Sequence, residues 1–362
     1  MRAAVLERFG APLTLLDRAA PELGLGEVLV DVVATGVLPY ADEVFSGERR
    51  YALTLPVVPG LGAVGRVRAT GPDATHLAVG DAVLVDPTIR SRDGGPTPDI
   101  TLQGWSGRGP GGLALQRRWG DGSFAEQLRA PTENAIPLGL LADDELDLWC
   151  ALVVCLVPYG GLRAGALQPG ETVLVSGATG NYGSGAVAVA LAMGARTVVC
   201  PGRNTAVLDD LVRRFGDRVR PVVLTGEEDV DRAAMQAAAP GPVDLVLDLL
   251  PPEAPATVAR AAAMTVREYG RVVLMGGVGM LGGDDLALPY PWIMRNSVTV
   301  RGQWMYLPDE ARRLVELVHA GLLDLSQWAV TGFPLEQVND AVAHAAADGG
   351  RFSLTVVRPS AS

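Results

Sequence analysis

The chain has 362 residues, which is enough for two domains with separate hydrophobic cores. Its formal net charge of -11 argues against a nucleic-acid partner, because phosphate recognition requires clustered Lys and Arg. Its three cysteines are an odd and sparse set, which is typical of buried thiols in a reducing compartment and not of a disulfide framework.

The chain carries no visible targeting or membrane-spanning segment. The N-terminal sequence MRAAVLERFG places Glu7 and Arg8 where a secretion signal has its apolar core. The longest apolar run, Leu148 to Leu162, is interrupted by Pro158 and is too short to cross a bilayer. We therefore expect a cytoplasmic protein with no membrane partner.

The first 130 residues or so have the pattern of β-strands. The segments EVLVDVVATGV and GAVGRVRATG alternate apolar and polar positions, and VGDAVLVDP predicts a short strand after a turn. Between Asp86 and Trp119 the chain is rich in Gly, Pro, Ser and Arg, which predicts one long loop. A regular pattern returns at DGSFAEQLRAP.

From Asp144 the chain alternates between predicted strands and helices. Apolar strands are predicted at Thr172–Ser176, Thr197–Cys200, Val219–Leu224, Val243–Asp248, Arg271–Met275 and Val298–Arg301. Helices are predicted at Tyr182–Met193, Ala206–Phe215, Val230–Ala238, Pro255–Arg267, Glu310–Ala320 and Leu335–Ala347, followed by a last strand, RFSLTVV. This order predicts a parallel sheet covered by helices on both faces. An irregular segment, Gly276 to Met294, joins its fifth and sixth strands.

The segment TVLVSGATGNYGSG predicts a dinucleotide site. A strand leads into a tight turn, Gly180 leaves space for a pyrophosphate, and Gly183 lets the next helix pack closely. The alternative is a glycine-lined helix contact without a ligand. The cofactor-binding candidates are Ala178, Thr179, Gly180, Asn181, Tyr182 and Gly183, together with Gly276 and Gly277 after the fifth strand.

The end of the second strand favours NADP(H) over NAD. The sequence VVCPGRN has Cys200 and Pro201 where an acidic residue would bind the ribose hydroxyls of NAD. Arg203 and Asn204 follow, and the arginine would pair with a 2′-phosphate. The alternative is a solvated surface arginine.

The chain resembles the medium-chain dehydrogenase/reductase superfamily, on the segments GEVLVDVVATGV, LPVVPGLGAVGRV, VGDAV, DGSFAEQLRAP and SGATGNYGSGAVAVALAMGA. The resemblance implies an α/β fold in which a doubly wound, parallel Rossmann sheet is inserted into a GroES-like, β-rich catalytic domain. The implied domains are residues 1–155 (catalytic), 156–297 (Rossmann) and 298–362 (return to the catalytic domain). It also implies a cleft between the domains and homodimers or homotetramers paired near Val298–Val300.

The sequence departs from the zinc-dependent members of that superfamily. Where they carry a catalytic Cys and a His-Glu pair, this chain has Leu38 and then Leu61 and Gly62. Cys155 falls at the third ligand position, but one thiol cannot hold a metal that requires three or four ligands. We therefore expect no metal site.

Without a metal, the resemblance implies hydride transfer to an acceptor that needs little activation, as in the zinc-free quinone oxidoreductase and enoyl reductase branches. Tyr40 and Tyr159 are the catalytic candidates, because Tyr40 lies in the loop that supplies metal ligands in zinc relatives and Tyr159 lies where relatives contact the nicotinamide. For Tyr40, the alternative is an aromatic residue that only lines the pocket. Tyr51, Trp105 and Trp304 are candidates for lining a pocket for an apolar or aromatic small molecule.

Three functions therefore follow from the sequence. The first is an NADPH-dependent, zinc-independent reductase of an enone C=C bond or a quinone. The second is an NADPH-dependent carbonyl reductase of a specialised metabolite. The third is a protein that binds NADPH without catalysing a reaction.

Overall fold

A computed structural model describes residues 1–359 of the chain. The chain divides into two compact units. The first unit contains Met1–Val153 and the segment that begins at Trp328, and the second contains Val154–Gln327.

The secondary structure elements follow one another along the chain as follows. The strands are β1 (Arg2–Val5), β2 (Thr14–Asp17), β3 (Glu27–Val37), β4 (Ala63–Thr70), β5 (Ala82–Val85), β6 (Thr88–Arg90), β7 (Ile100–Leu102), β8 (Ser106–Gly107), β9 (Gln127–Pro131), β10 (Ala135–Pro137), β11 (Thr172–Ser176), β12 (Thr197–Gly202), β13 (Val219–Val223), β14 (Val243–Asp248), β15 (Val266–Leu274), β16 (Thr299–Gly302), β17 (Ala329–Pro334) and β18 (Ser353–Arg358). The helices are α1 (Ala41–Ser46), α2 (Gly109–Trp119), α3 (Asp143–Trp149), α4 (Ala151–Ala164), α5 (Asn181–Ala192), α6 (Thr205–Phe215), α7 (Glu228–Ala238), α8 (Ala256–Ala263), α9 (Tyr290–Arg295), α10 (Glu310–His319) and α11 (Val338–Asp348).

The first unit is built around the long strand β3. Its neighbours β4, β9 and β18 all pair with it in antiparallel register, and the sheet continues in the order β10-β5-β4-β3-β18-β17. The valines of β3 that alternate along one face, Val28, Val30 and Val32, are fully buried in a shared core. The alternating pattern of EVLVDVVATGV is thus the pattern of a strand with one face on a core.

The prediction of one long loop between Asp86 and Trp119 is wrong. This segment forms the small sheet β6-β7-β8 and the helix α2. Gly112 is the reason that α2 packs closely, since a Cβ atom there would overlap the carbonyl oxygen of Ile100 in β7. Gln116 then fixes the helix by donating to the carbonyl of Ala52 (2.9 Å). Strands of two or three residues are too short for a periodic pattern to reveal them.

The second unit contains a six-stranded parallel sheet in the order β13-β12-β11-β14-β15-β16, which confirms the predicted sheet. In chain order this is 3-2-1-4-5-6, the arrangement of a doubly wound nucleotide-binding fold. Its strands are short and rich in Val and Leu because both faces of the sheet are covered. One of the clusters in the core includes Leu174, Val199, Val246 and Val272.

The boundary between the units lies later in the chain than the sequence predicts. The expected return to the catalytic domain was at residue 298, but the second unit extends to Gln327. The reason is that β16 pairs with β15 in parallel register, with Val272 opposite Val300, so β16 belongs to the six-stranded sheet of the second unit. The earlier boundary, at Val153 and Val154, lies two residues from the expected one.

Helices α3 and α4 form the one stretch in the described residues that is long and apolar enough to cross a membrane by length and composition. It covers Asp143–Ala164, and 78% of an apolar 18-residue stretch within it is buried inside the protein. Such burial is the ordinary property of a core helix.

Candidate active site

The glycine-rich turn connects the end of β11 to the start of α5. Gly177 has a φ of +86°, a conformation that favours glycine, and its carbonyl accepts a hydrogen bond from the amide of Gly180 (2.9 Å). A Cβ atom at Gly183 would overlap that same carbonyl oxygen. Glycine is therefore required at position 177 by the backbone conformation of the turn and at position 183 by the approach of the helix to the strand.

Gly180 has a different environment from these two glycines. Its φ is -89°, which any residue adopts, and a Cβ atom there would meet only the carbonyl oxygen of Gly177, at 3.3 Å. The fold itself thus makes little demand for glycine at this position. Glycine here leaves the backbone open on its outer side, as the predicted pyrophosphate site requires.

Two further observations fit a pyrophosphate at this turn. The side-chain nitrogen Nδ2 of Asn181 is buried and has no hydrogen-bond partner among residues 1–359. The first amides of any helix also lack acceptors within the helix, and they carry the positive end of its dipole. The residues at the start of α5 therefore offer donors to an anion and fit a dinucleotide cofactor.

The turn lies at the point where the sheet reverses its winding. Strands β11 and β14 are neighbours, and Ser176 is opposite Asp248 at their carboxyl ends. Ligands of open α/β sheets bind in the crevice that lies beyond the carboxyl ends of the strands at such a point. The position of the turn in the sheet is therefore that of a nucleotide site.

Asp248 is a buried carboxyl at this crevice, only 4% exposed. Burial raises the pKa of Asp248 to about 6, although hydrogen bonds from the Ser176 hydroxyl and the Leu250 amide oppose the shift. Its oxygen Oδ1 is buried and has no hydrogen-bond partner in the described part of the chain. Neither the composition nor the spacing of VDLVLD pointed to this residue, because its partner Ser176 is 72 residues away in the chain.

Gly276 and Gly277 pack against the loop that follows β14. A Cβ atom at Gly276 would lie 2.5 Å from Oδ2 of Asp248, and one at Gly277 would lie 2.8 Å from the ring of Pro252. The amide of Gly277 also donates to the carbonyl of Leu250 (2.8 Å). This packing alone explains both glycines, and their contact with a cofactor stays a prediction.

The residues after β12 lie beside the glycine-rich turn. A Cβ atom at Gly202 would overlap the side chain of Thr179, so the two segments touch. Arg203 is exposed, and its side chain makes no hydrogen bond or ion pair with any residue of the described chain. Asn204 caps α6 instead, with Oδ1 accepting from the amide of Val207 (3.3 Å).

The residues at the expected metal-ligand positions do not fit a zinc ion. Leu38 and Leu61 are each 5% exposed and belong to the hydrophobic core. Gly62 has a φ of +73°, and a Cβ atom there would lie 3.1 Å from both the Val153 side chain and the Val85 carbonyl. A glutamate at position 62 would therefore be strained and crowded.

Cys155 is fully buried, and burial raises the pKa of its thiol far above the usual value. A metal ligand must be a thiolate, so this environment opposes ligation. Within residues 1–359, no three His, Cys, Asp or Glu side chains form a group able to hold a metal ion.

Tyr40 lies immediately before α1 and packs among aromatic rings. Its ring meets that of Trp105 edge-on, with centroids 5.9 Å apart, and Trp105 meets Phe45 in the same way at 5.7 Å. Trp105 is only 2% exposed, so it is a packing residue of this cluster. Tyr51 is partly buried.

Arg49 stacks on the Tyr40 ring, and no pattern in the sequence predicts this contact. Its guanidinium carbon lies 4.3 Å from the centroid of the Tyr40 ring. Arg49 lies in the segment SGERRY, and nothing in that sequence distinguishes it from its exposed neighbour Arg50.

Tyr159 and Trp304 lie in the second unit. Tyr159 is 5% exposed in α4, and burial raises the pKa of its phenol. Trp304 follows β16 and is 41% exposed. The structure thus brings Tyr40, Tyr51 and Trp105 together in one unit and places Tyr159 and Trp304 in the other.

Two family models match the chain. The model described as "Alcohol dehydrogenase GroES-like domain" matches residues 24–139, and the one described as "Zinc-binding dehydrogenase" matches residues 182–320. An alcohol dehydrogenase of Geobacillus stearothermophilus is 30% identical over 345 residues, which is 94% of each chain.

Two further comparisons concern a reductase and a solved structure. An acryloyl-coenzyme A reductase of Metallosphaera sedula is 30% identical over 220 residues, covering 60% of this chain and 63% of the reductase. The crystal structure of a putative zinc-binding dehydrogenase of Sinorhizobium meliloti bound to NADP has a TM-score of 0.78 at 22% identity, and each chain is covered to 99%.

Proposed function

The chain belongs to the medium-chain dehydrogenase/reductase superfamily and is an oxidoreductase, and on this premise we propose that it is a zinc-independent, NADPH-dependent reductase of an enone C=C bond or a quinone. One observation carries the proposal: the chain has a dinucleotide-type turn, but it has Leu38, Leu61 and Gly62 at the positions where zinc-dependent members carry metal ligands. A nicotinamide cofactor is what the family requires, and the start of α5 fits it.

The proposal of zinc independence rests on the donor set. Leucine side chains have no lone pair to offer a metal, and Gly62 has no side chain at all. Cys155 alone does not complete a site. A bound metal can polarise an alcohol or ketone, whereas this chain would need an acceptor that is reactive without one.

The choice of NADPH rests on the end of β12. Cys200, Pro201 and Gly202 are buried and uncharged, so no carboxylate repels a 2′-phosphate there. Arg203 keeps its guanidinium available because no protein carboxylate within the described chain engages it. We propose that Asn204 acts at this site only by capping α6, because its side-chain oxygen already accepts a hydrogen bond from the Val207 amide.

The chain's own residues would bind and orient the reactants. The turn at Gly180 and the Nδ2 group of Asn181 would hold the pyrophosphate, and the bound nicotinamide would supply the hydride. Hydride addition leaves negative charge on the acceptor oxygen, and the phenol of Tyr40 or Tyr159 would donate a hydrogen bond to that oxygen. Enones and quinones spread this charge over a conjugated system, so they need less assistance than an isolated ketone.

The acceptor that we propose is a flat, partly aromatic small molecule. Tyr51 would contact it, and Trp105 would act by supporting Tyr40. The acryloyl-coenzyme A reductase among the relatives acts, by its name, on an activated C=C bond, which favours this class of acceptor.

The test is a panel of acceptors with the purified protein and NADPH. Loss of the NADPH absorbance with quinones or enones, and not with isolated ketones, is the expected result. Turnover of isolated ketones would favour the carbonyl reductase, a reading that the relatives named alcohol dehydrogenase support. Tight NADPH binding without turnover on any acceptor would identify a non-catalytic binding protein, and stoichiometric zinc by metal analysis would overturn zinc independence.

We also propose a homodimer in the cytoplasm. Strand β16 lies at the edge of the parallel sheet, and exposed apolar side chains flank it in sequence, among them Met294 and Leu307. An unpaired strand edge of this kind can pair with a second copy. Sedimentation at about twice the 37.8 kDa chain mass would support the dimer.

A further inference from the structure

Arg49 is held in place by Glu43 through two hydrogen bonds. After α1 ends at Ser46, Gly47 adopts a φ of +89° and turns the chain back over the helix. The Arg49 amide then donates to the Glu43 carbonyl (3.1 Å), and Nε of its guanidinium donates to the Glu43 carboxylate (2.7 Å). The position of the guanidinium is therefore fixed by the turn.

The face of the guanidinium is also occupied. It lies over the ring of Tyr40 at 4.3 Å, which is the geometry of a cation–π contact. Burial opposes the charge, but the hydrogen bond and charge of Glu43, and then the nearby Tyr51 and Tyr40, raise the pKa of Arg49 above its usual value. Arg49 thus stays charged in a setting where it is only 13% exposed.

The end of the Arg49 guanidinium has no hydrogen-bond partner within the described chain. The terminal nitrogens Nη1 and Nη2 of Arg49 donate no hydrogen bond to any residue of the described chain. By contrast, Arg118 and Arg271 each engage a carboxylate through two nitrogens. Two parallel N–H donors at the end of a guanidinium match the two oxygens of a carboxylate.

We propose that this end of Arg49 binds a carboxylate group carried by the acceptor, so that the substrate is a conjugated acceptor bearing an acid group. The proposal rests on the proposed function, because it assumes that Tyr40 faces the acceptor. Glu43, the aromatic face of Tyr40 and the turn at Gly47 fix the guanidinium in advance, so little conformational freedom is lost when the ligand binds.

Benzoate is the probe that tests the site, with benzamide as its uncharged analogue. Calorimetry should detect benzoate binding to the wild-type protein and at least tenfold weaker binding of benzamide. Arg49→Met should weaken benzoate at least tenfold, because a charge-assisted hydrogen bond is lost. Arg92→Met is the matched control, since it removes another arginine paired with a glutamate and should leave benzoate binding unchanged.

Glu43→Gln changes the affinity in the opposite direction. It removes the charge that competes for Arg49 while keeping a hydrogen-bond acceptor, so benzoate should bind several-fold more tightly. If Arg49→Met fails to fold, as thermal melting would reveal, this variant still decides the question. Unchanged benzoate affinity in Glu43→Gln, or in a folded Arg49→Met, would overturn the proposal.

The carboxylate site and the proposed reductase function can be confirmed or refuted independently of each other. Benzoate binding needs neither NADPH nor turnover. Arg49-dependent benzoate binding in a protein that binds no NADPH would refute the reductase and leave the carboxylate site standing. If the protein oxidises NADPH with quinones but binds benzoate equally well with and without Arg49, the reductase is supported and the carboxylate site is refuted.

Discussion

Gly183 lies so close to the carbonyl group of Gly177 that a methyl group added at Gly183 would overlap the oxygen. We expect Gly183→Ala to push α5 away from β11, weaken NADPH binding at least tenfold and destabilise the fold by about 1–3 kcal/mol, as overpacking does. Calorimetry with NADPH and chemical denaturation measure the two effects.

Gly185 is the matched control in the same helix. A Cβ atom there would meet the Val154 side chain at 3.4 Å, which is ordinary contact, and alanine favours a helix over glycine by about 1 kcal/mol. Gly185→Ala should therefore bind NADPH as the wild type does. Equal losses of NADPH affinity in Gly183→Ala and Gly185→Ala would mean that the close approach at Gly183 is not needed for cofactor binding.

Replacing the Tyr40 hydroxyl should slow the reaction. Tyr40→Phe keeps the ring on Arg49 and against Trp105 but removes the donor, so turnover should fall at least tenfold, equivalent to about 1.4 kcal/mol of barrier. Steady-state kinetics should place the loss mainly in kcat. Tyr269→Phe, at a side chain that is 72% exposed, is the control. Turnover equal to that of the control would reduce Tyr40 to a packing residue.

Arg203 should discriminate between the two cofactors. Arg203→Met should weaken NADPH binding at least tenfold and leave NADH binding unchanged, because only NADPH carries the 2′-phosphate. The dissociation constants of both cofactors provide the measurement. Arg213→Met, which removes an exposed arginine paired with Asp210 in α6, is the control. A wild-type protein that binds NADH as tightly as NADPH would exclude this role.

Asp248 should make the stability of the fold depend on pH. Burial raises its pKa from 3.8 to about 6, so the unfolded chain releases this proton at lower pH than the folded one. The stability contributed by Asp248 is complete below about pH 4 and is lost as the pH rises through about 6. The loss amounts to about 3 kcal/mol at most.

Asp248→Asn removes this titration. The difference in free energy of unfolding between the variant and the wild type should therefore shift in favour of the variant by about 1–3 kcal/mol between pH 4 and pH 7. Denaturant titrations across that range measure it. A difference that stays constant with pH would show that the carboxyl is solvated in the folded protein.

The parallel sheet could be predicted because each of its strands has a recognisable pattern within a few consecutive residues. The runs at Thr172–Ser176 and Val243–Asp248 are short, apolar and β-branched, and their observed limits agree with the predicted ones. The superfamily was likewise predicted correctly from motifs such as the glycine-rich turn. The branch of the superfamily and the cofactor stay predictions.

The errors and omissions have a common cause in contacts between distant parts of the chain. Strand β8 has only two residues, and α2 is positioned by Gly112 against β7 and by Gln116 against Ala52, which no window of sequence reveals. Arg49 and Asp248 were missed for the same reason. Their importance comes from which groups surround them after folding, and a lone Arg or Asp in the sequence does not indicate this.

The burial of Cys150, Cys155 and Cys200 has a practical consequence. Because burial keeps all three sulfurs protonated, the native protein should resist alkylation by iodoacetamide and become reactive only where the fold opens. A single cysteine engineered on the surface would then be the one site that accepts a spectroscopic label, with no need to remove the native three.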